Sequence, residues 1–293
     1  MIRPKPAGPP YLAANSIQTM LRPLLAFLLP AATLLATSCS TNNVTVDNSL
    51  QKYFDSAGVK GCFGLYDNGQ GHFTIYNLAR FRDSGYSPGA TFDIFESLVA
   101  IQTGIVKDDA SVIYDSANAA TVKGTGPNPP ATLRDCFQSQ DERGYPAMIL
   151  LSEKIGEDTL RKWIDSVHYG KRDPNKHILM SVTITPDEQM GLIKKLYFDQ
   201  LPFFKRTQEI VRSMMTVESN SDYKLSYKRT SQGRTRDGSA SGWVLGWIEE
   251  NKHPYFFVLN METSDGNRDV LYRKGPDIVK GILRQMGFFN GKK

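Results

Sequence analysis

From residue 49 onward, apolar and polar positions fall into short blocks that predict a mixture of strands and helices. The runs 62–66 and 72–76 flank Asp67-Asn68-Gly69-Gln70-Gly71 and read as a β-hairpin around a Gly/Asn turn. Ser87-Pro88 has the chemistry of a helix start, Ser as cap and Pro at the first helical position. Behind it, Ile94, Phe95, Leu98, Val99 and Ile101 place apolar side chains all round the axis, which predicts a buried helix that stops at Gly104. Helices follow over about 146–156 and 160–167, and Thr185-Pro186-Asp187-Glu188 is a capping box opening another that carries Met190, Leu192, Ile193 and Leu196. Three strand-like runs, 223–228, 242–248 and 255–261, precede a final helix over 277–286. The order of hairpin, helical middle, three-strand meander and helix predicts one α+β domain over 49–293, with a central antiparallel sheet, flanking helices and a mostly helical subdomain.

The first 38 residues differ from the rest. They hold three cations (Arg3, Lys5, Arg22), no acid, and a 13-residue apolar run at 24–36 broken by Pro30. That run is short for a bilayer span and has the layout of a secretory signal. The chain starts at Met1 or Met20. Leu35-Ala36-Thr37-Ser38-Cys39 resembles a bacterial lipoprotein signal, which implies lipidation of Cys39, a membrane anchor and residence in the bacterial cell envelope. The segment 39–48 reads as a polar tether.

Composition narrows the function classes. Lys and Arg number 35 against 30 Asp and Glu, with both signs interspersed, so the concentrated basic stripe of a nucleic-acid binder is missing. Three cysteines without C-x-x-C or Cys/His clustering, and His72, His168 and His253 without ligand spacing, imply neither metal nor cofactor. In an oxidising compartment Cys62 and Cys136 either pair or remain two buried thiols. Trp243, Trp247 and the run Tyr255-Phe256-Phe257 read as buried strand packing.

Several segments taken together resemble the class D β-lactamases, within the wider family of penicillin-binding transpeptidases. They are 61–67, Tyr86-Ser87-Pro88-Gly89-Ala90-Thr91-Phe92-Asp93-Ile94, 97–104, Tyr169-Gly170-Lys171, the 185–189 capping box, Lys195-Leu196-Tyr197 with Leu201-Pro202-Phe203, and Gly242-Trp243-Val244-Leu245-Gly246-Trp247. The resemblance runs from about 60 to 287 and implies the β-lactamase/transpeptidase fold. It also implies nucleophilic acyl transfer by a helix-start serine, a lysine one turn on, a second serine and a K-T-G strand.

Carried onto this chain, those roles are largely empty. The S-T-F-K motif falls on Ala90-Thr91-Phe92-Asp93, so the nucleophile position is Ala90 and the base position is Asp93. Thr91 lies about 100° of helix away from the serine's direction. The second serine falls on Gln140 or Arg143, with Ser139 beside one register. K-T-G falls on Lys228-Arg229-Thr230, which keeps the lysine and replaces the glycine with a residue bearing a side chain. The tryptophan that supports a carbamylated lysine in class D enzymes falls on His177, and the arginine that grips a substrate carboxylate falls on Arg273.

The resemblance therefore implies a catalytically inactive member with no β-lactam acylation. Asp93 has two readings, an acid favoured by the helix dipole or a partner for Lys228 that fills the old pocket. His177 and Asp93 form a further candidate acid/base pair. Three functions remain open: non-covalent binding of a peptidoglycan- or β-lactam-like carboxylate by Lys228, Thr230 and Arg273; divergent hydrolysis through Ser139 or Thr91; or an envelope scaffold.

Overall fold

The central strands carry apolar residues on both faces, and this fixes the layering. In the computed structural model, which describes residues 43–119, 130–139, 144–234 and 239–293, seven strands form one sheet. They are β1 (Val44–Val46), β2 (Lys60–Asp67), β3 (His72–Tyr76), β4 (Thr216–Ser219), β5 (Tyr223–Arg234), β6 (Ala240–Glu250) and β7 (His253–Thr263), in the order β1-β3-β2-β7-β6-β5-β4. Neighbours run antiparallel except β1 and β3, which are parallel. The expected antiparallel sheet is thus mixed at one edge. That edge uses residues expected to be tether, because Val44–Val46 extend the sheet beside the hairpin.

Along β6, Trp243, Leu245 and Trp247 join a core shared with Phe95, Leu98 and Met190. The alternate positions Val244 and Ile248 join a second core with Phe54, Ile278 and Ile282. A strand buried on both faces reads as a continuous apolar run, as this one does. The second core lies under helices α1 (Gln51–Ala57) and α9 (Arg268–Gln285). The first lies under α2 (Leu78–Asp83), α3 (Phe92–Gln102), α4 (Leu133–Gln138), α5 (Gly144–Ile155), α6 (Glu157–Val167), α7 (Pro186–Tyr197) and α8 (Lys205–Met215).

Helix α3 is the buried helix expected from the sequence: every residue from Phe92 to Ile101 is buried. A 3-10 turn, Gly89–Thr91, precedes it. The Thr185 capping box also forms, with the Thr185 hydroxyl accepting from the Glu188 N–H at 3.1 Å and the Glu188 carboxylate from the Thr185 N–H at 2.8 Å. The last helix departs from expectation. It starts at Arg268 rather than 277, because the Asn267 side chain caps it by accepting the Val270 N–H and Pro276 is absorbed in its buried interior. Cys62 and Cys136 are two free, buried thiols, and burial pushes both up to about 12. The leader and Cys39 lie outside the described residues.

Close strand approach makes Gly246 a sensitive position: a Cβ there would stand 2.0 Å from the Ser226 carbonyl oxygen and 2.7 Å from Tyr227 Cα. Gly246→Ala should cost about 2–4 kcal/mol in chemical denaturation. Gly191→Ala, in open space on α7, should instead add roughly 0.5–1 kcal/mol.

Candidate functional site

The site lies where the 3-10 turn at 89–91 meets β5. Register places Thr230 opposite Trp243 and Lys228 opposite Leu245. Trp243 Nε1 donates to the Ser87 carbonyl at 2.9 Å and so ties the turn to the sheet.

Ala90, the residue on which the resemblance places the nucleophile, carries a methyl group. Its backbone N–H donates to Thr230 Oγ1 at 3.1 Å. A free N–H beside the nucleophile is the kind of donor an acyl-transfer site aims at a developing oxyanion; here the Thr230 hydroxyl already occupies it. Thr91 is no substitute nucleophile. It is 1% exposed, its hydroxyl donates to the Pro88 carbonyl at 2.7 Å, and it accepts from Gln189 Nε2 at 3.0 Å.

One turn on, Asp93 and Lys228 form a buried ion pair, with Nζ 2.7 Å from Asp93 Oδ2. Lys228 Nζ also donates to the Phe137 carbonyl at 2.6 Å and lies 4.3 Å from the Phe137 ring centroid. Burial raises the Asp93 carboxyl above its ordinary range, and the Lys228 ammonium opposes that shift. The pairing reading of Asp93 holds. The helix-dipole reading is compatible with it, since Asp93 sits in the first turn of α3.

A second buried acid escaped the sequence reading. Glu96, one turn further along α3 and 2% exposed, accepts from Ser152 Oγ on α5. Burial first, then the nearby Asp93 carboxylate, pushes Glu96 up to about 8. The available signal was a second acid, after Asp93, in a largely apolar helix. Asp93 and Glu96 both line a cavity of about 70 Å³ that is otherwise walled mainly by apolar side chains such as Met148, Ile178 and Leu179.

Two expected members stand elsewhere. His177 does not face Asp93: its exposed ring has Nε2 3.9 Å from Glu157, because the backbone directs Ile178 and Leu179 to the cavity instead. Arg273 is exposed on α9, and the neighbouring Tyr272 reaches the site. The Tyr272 hydroxyl donates to the Ser139 carbonyl at 3.0 Å, and the Arg229 guanidinium lies 4.1 Å from the Tyr272 ring centroid. Helical spacing admits one of two adjacent side chains to the site face, and the aromatic one takes it.

Ser139, Lys228 and Arg229 help line a pocket of about 300 Å³. Gln140 and Arg143 lie outside the described residues. Among the described residues there is no cluster of three metal-type side chains. His72 bonds Thr45, His253 pairs with Asp67, and His168 closes α6 with φ 58°.

Comparison with known proteins agrees with this architecture. The penicillin binding protein transpeptidase domain model matches residues 47–284. β-Lactamase OXA-20 of Pseudomonas aeruginosa is 30% identical over 271 residues, covering 89% of this chain and 96% of that protein. Regulatory protein BlaR1 of Bacillus licheniformis is 26% identical over 242 residues, covering 81% of this chain and 38% of BlaR1. The class D β-lactamase structure from Bacillus subtilis matches with a TM-score of 0.69 at 26% identity, over 84% of this chain and all of that one (100%).

Removing one partner of a buried pair strands the other charge. Lys228→Met and Asp93→Asn should each cost about 3–5 kcal/mol in urea unfolding, whereas Arg273→Ala, at an exposed position, should change stability by less than about 0.5 kcal/mol.

Proposed function

We propose that this chain, which belongs to the penicillin-binding protein transpeptidase family and groups there with the class D β-lactamases, is an envelope lipoprotein whose domain no longer performs acyl transfer. One observation carries this reading: Ala90, where the resemblance places the nucleophile, has a methyl side chain and a backbone N–H taken by Thr230, beside a lysine paired with Asp93. A serine hydrolase without its serine loses the covalent route, and with it orders of magnitude in rate. The β-lactamase activity in the names of its relatives belongs to those proteins.

The closed geometry favours a scaffold or interaction role. The cavity beside Asp93 and Glu96, about 70 Å³, is well below the roughly 300–1,000 Å³ of pockets that hold drug-sized ligands. Hydrolysis through Thr91 has little support, since Thr91 is buried with its hydroxyl engaged; Ser139, the other candidate, lines the larger pocket. A second reading rests on the pocket of about 300 Å³ beside Ser139 and Arg229. There a peptidoglycan- or β-lactam-like carboxylate would bind non-covalently, with the Arg229 guanidinium rather than Lys228 as its cation. Export and lipidation at Cys39 would anchor the domain at the bacterial cell envelope.

Intact protein incubated with a penicillin should show no added mass and no nitrocefin turnover, and Ala90→Ser alone should not restore either, because the group one turn on remains an acid. A mass increase of one penicillin on the unmodified chain contradicts the reading. A thermal-shift panel of penicillins and muropeptides separates the pocket reading from the scaffold reading. Cys39→Ser should move the protein from the membrane to the soluble fraction, and unchanged membrane association counts against the anchor.

A further inference from the structure

We infer that Asp93, Glu96 and Lys228 form a proton-holding cluster that makes the packing of α3 against α5 pH-sensitive, sealed when the cluster keeps its proton and loosened when it loses it. The inference goes beyond the loss of acyl transfer and does not depend on it.

Counting charges gives the first step. Two carboxylates sit one helical turn apart on α3, both at least 95% removed from solvent, and one ammonium faces them from β5. With both acids ionised, a negative charge stands uncompensated in a water-poor interior, so one acid keeps its proton. Lys228 lies 2.7 Å from Asp93, which assigns the proton to Glu96. Ser152 Oγ donates to one Glu96 oxygen, leaving the other to carry the hydrogen.

Among the described residues, Lys228 is the cation recorded against the two acids. Ionisable groups near the cluster are Tyr169, after α6, and Cys136, on α4; burial holds both well above their ordinary ranges and therefore neutral. The sides of α6 and α8 packed toward α3 present Leu160, Ile164, Val211 and Met214. From α5 the polar group reaching Glu96 is the Ser152 hydroxyl.

Loss of the proton turns the Ser152–Glu96 contact into a buried carboxylate that competes with Asp93 for Lys228. The adjacent cavity of about 70 Å³ has room for the water that would solvate it. Hydration there separates α5 from α3 at the point where Ser152 joins them.

The sign of the pH dependence follows. Burial raises Glu96 from 4.5 to about 8 in the folded chain, so the folded state binds more protons than the unfolded state between those values. Stability contributed by this group is full below about pH 4.5 and falls as pH rises towards about 8.

The test is thermal unfolding of the full chain across this range, with infrared detection of a protonated buried carboxyl. The wild type should lose several degrees of Tm between about pH 6 and about pH 9, while Glu96→Gln should remove most of that slope. Asp93→Asn should shift the midpoint to lower pH, because it deletes the charge that raises Glu96 and leaves Lys228 in place. Ser152→Ala should shift it to higher pH, since its hydrogen bond lowers Glu96. A protonated-carboxyl band in the wild type at neutral pH that disappears under alkaline conditions supports the cluster even where Glu96→Gln fails to fold. An unchanged slope in a folded Glu96→Gln variant, or no such band at neutral pH, overturns it.

Discussion

The buried contact between Asp93 and Lys228 governs the rest of the site. A lysine at 8% exposure has given up most of its hydration and needs both a counter-charge and hydrogen-bond acceptors to stay charged. Asp93 supplies the charge from α3, and the Phe137 carbonyl supplies a further acceptor from α4. One ammonium therefore links the sheet to two helices of the helical layer. An ammonium held in this way has no lone pair with which to take a proton.

The same pair constrains its neighbours. With Lys228 turned to Asp93, the second acid on α3, Glu96, is met by the Ser152 hydroxyl among the described residues. At the start of the helix, the Thr230 hydroxyl takes the Ala90 N–H. These contacts are mutually supporting and internal. A shared fold at 30% identity with a named β-lactamase is compatible with different chemistry, because catalysis resides in a few side chains placed on the scaffold.

Much of this was legible in the chain. The hairpin, the buried helix α3, the Thr185 capping box and the strand cores of β5, β6 and β7 follow from periodicity and cap chemistry, which act locally. Aligning Asp93 with the base position and Lys228 with the strand lysine was enough to suggest their pairing. Other features depended on tertiary context. The last helix was expected from 277, but Asn267 caps it earlier and packing carries Pro276 inside it. His177 and Arg273 were placed by alignment, and a one-residue difference in direction turned Ile178 and Tyr272 inward instead. Glu96 and the Thr230 bond to Ala90 could not be read locally, since each depends on which element packs opposite. The Cys39 anchor rests on the leader pattern alone.

The most direct measurement of the central claim is a double-mutant cycle between Asp93 and Lys228, read by urea unfolding of the two single variants and the double variant. The account predicts a coupling of about 2 kcal/mol or more, as for groups in one buried network. A coupling below about 0.5 kcal/mol, the level of a solvent-exposed pair, would mean that Lys228 is not committed to Asp93 and would contradict the closed site.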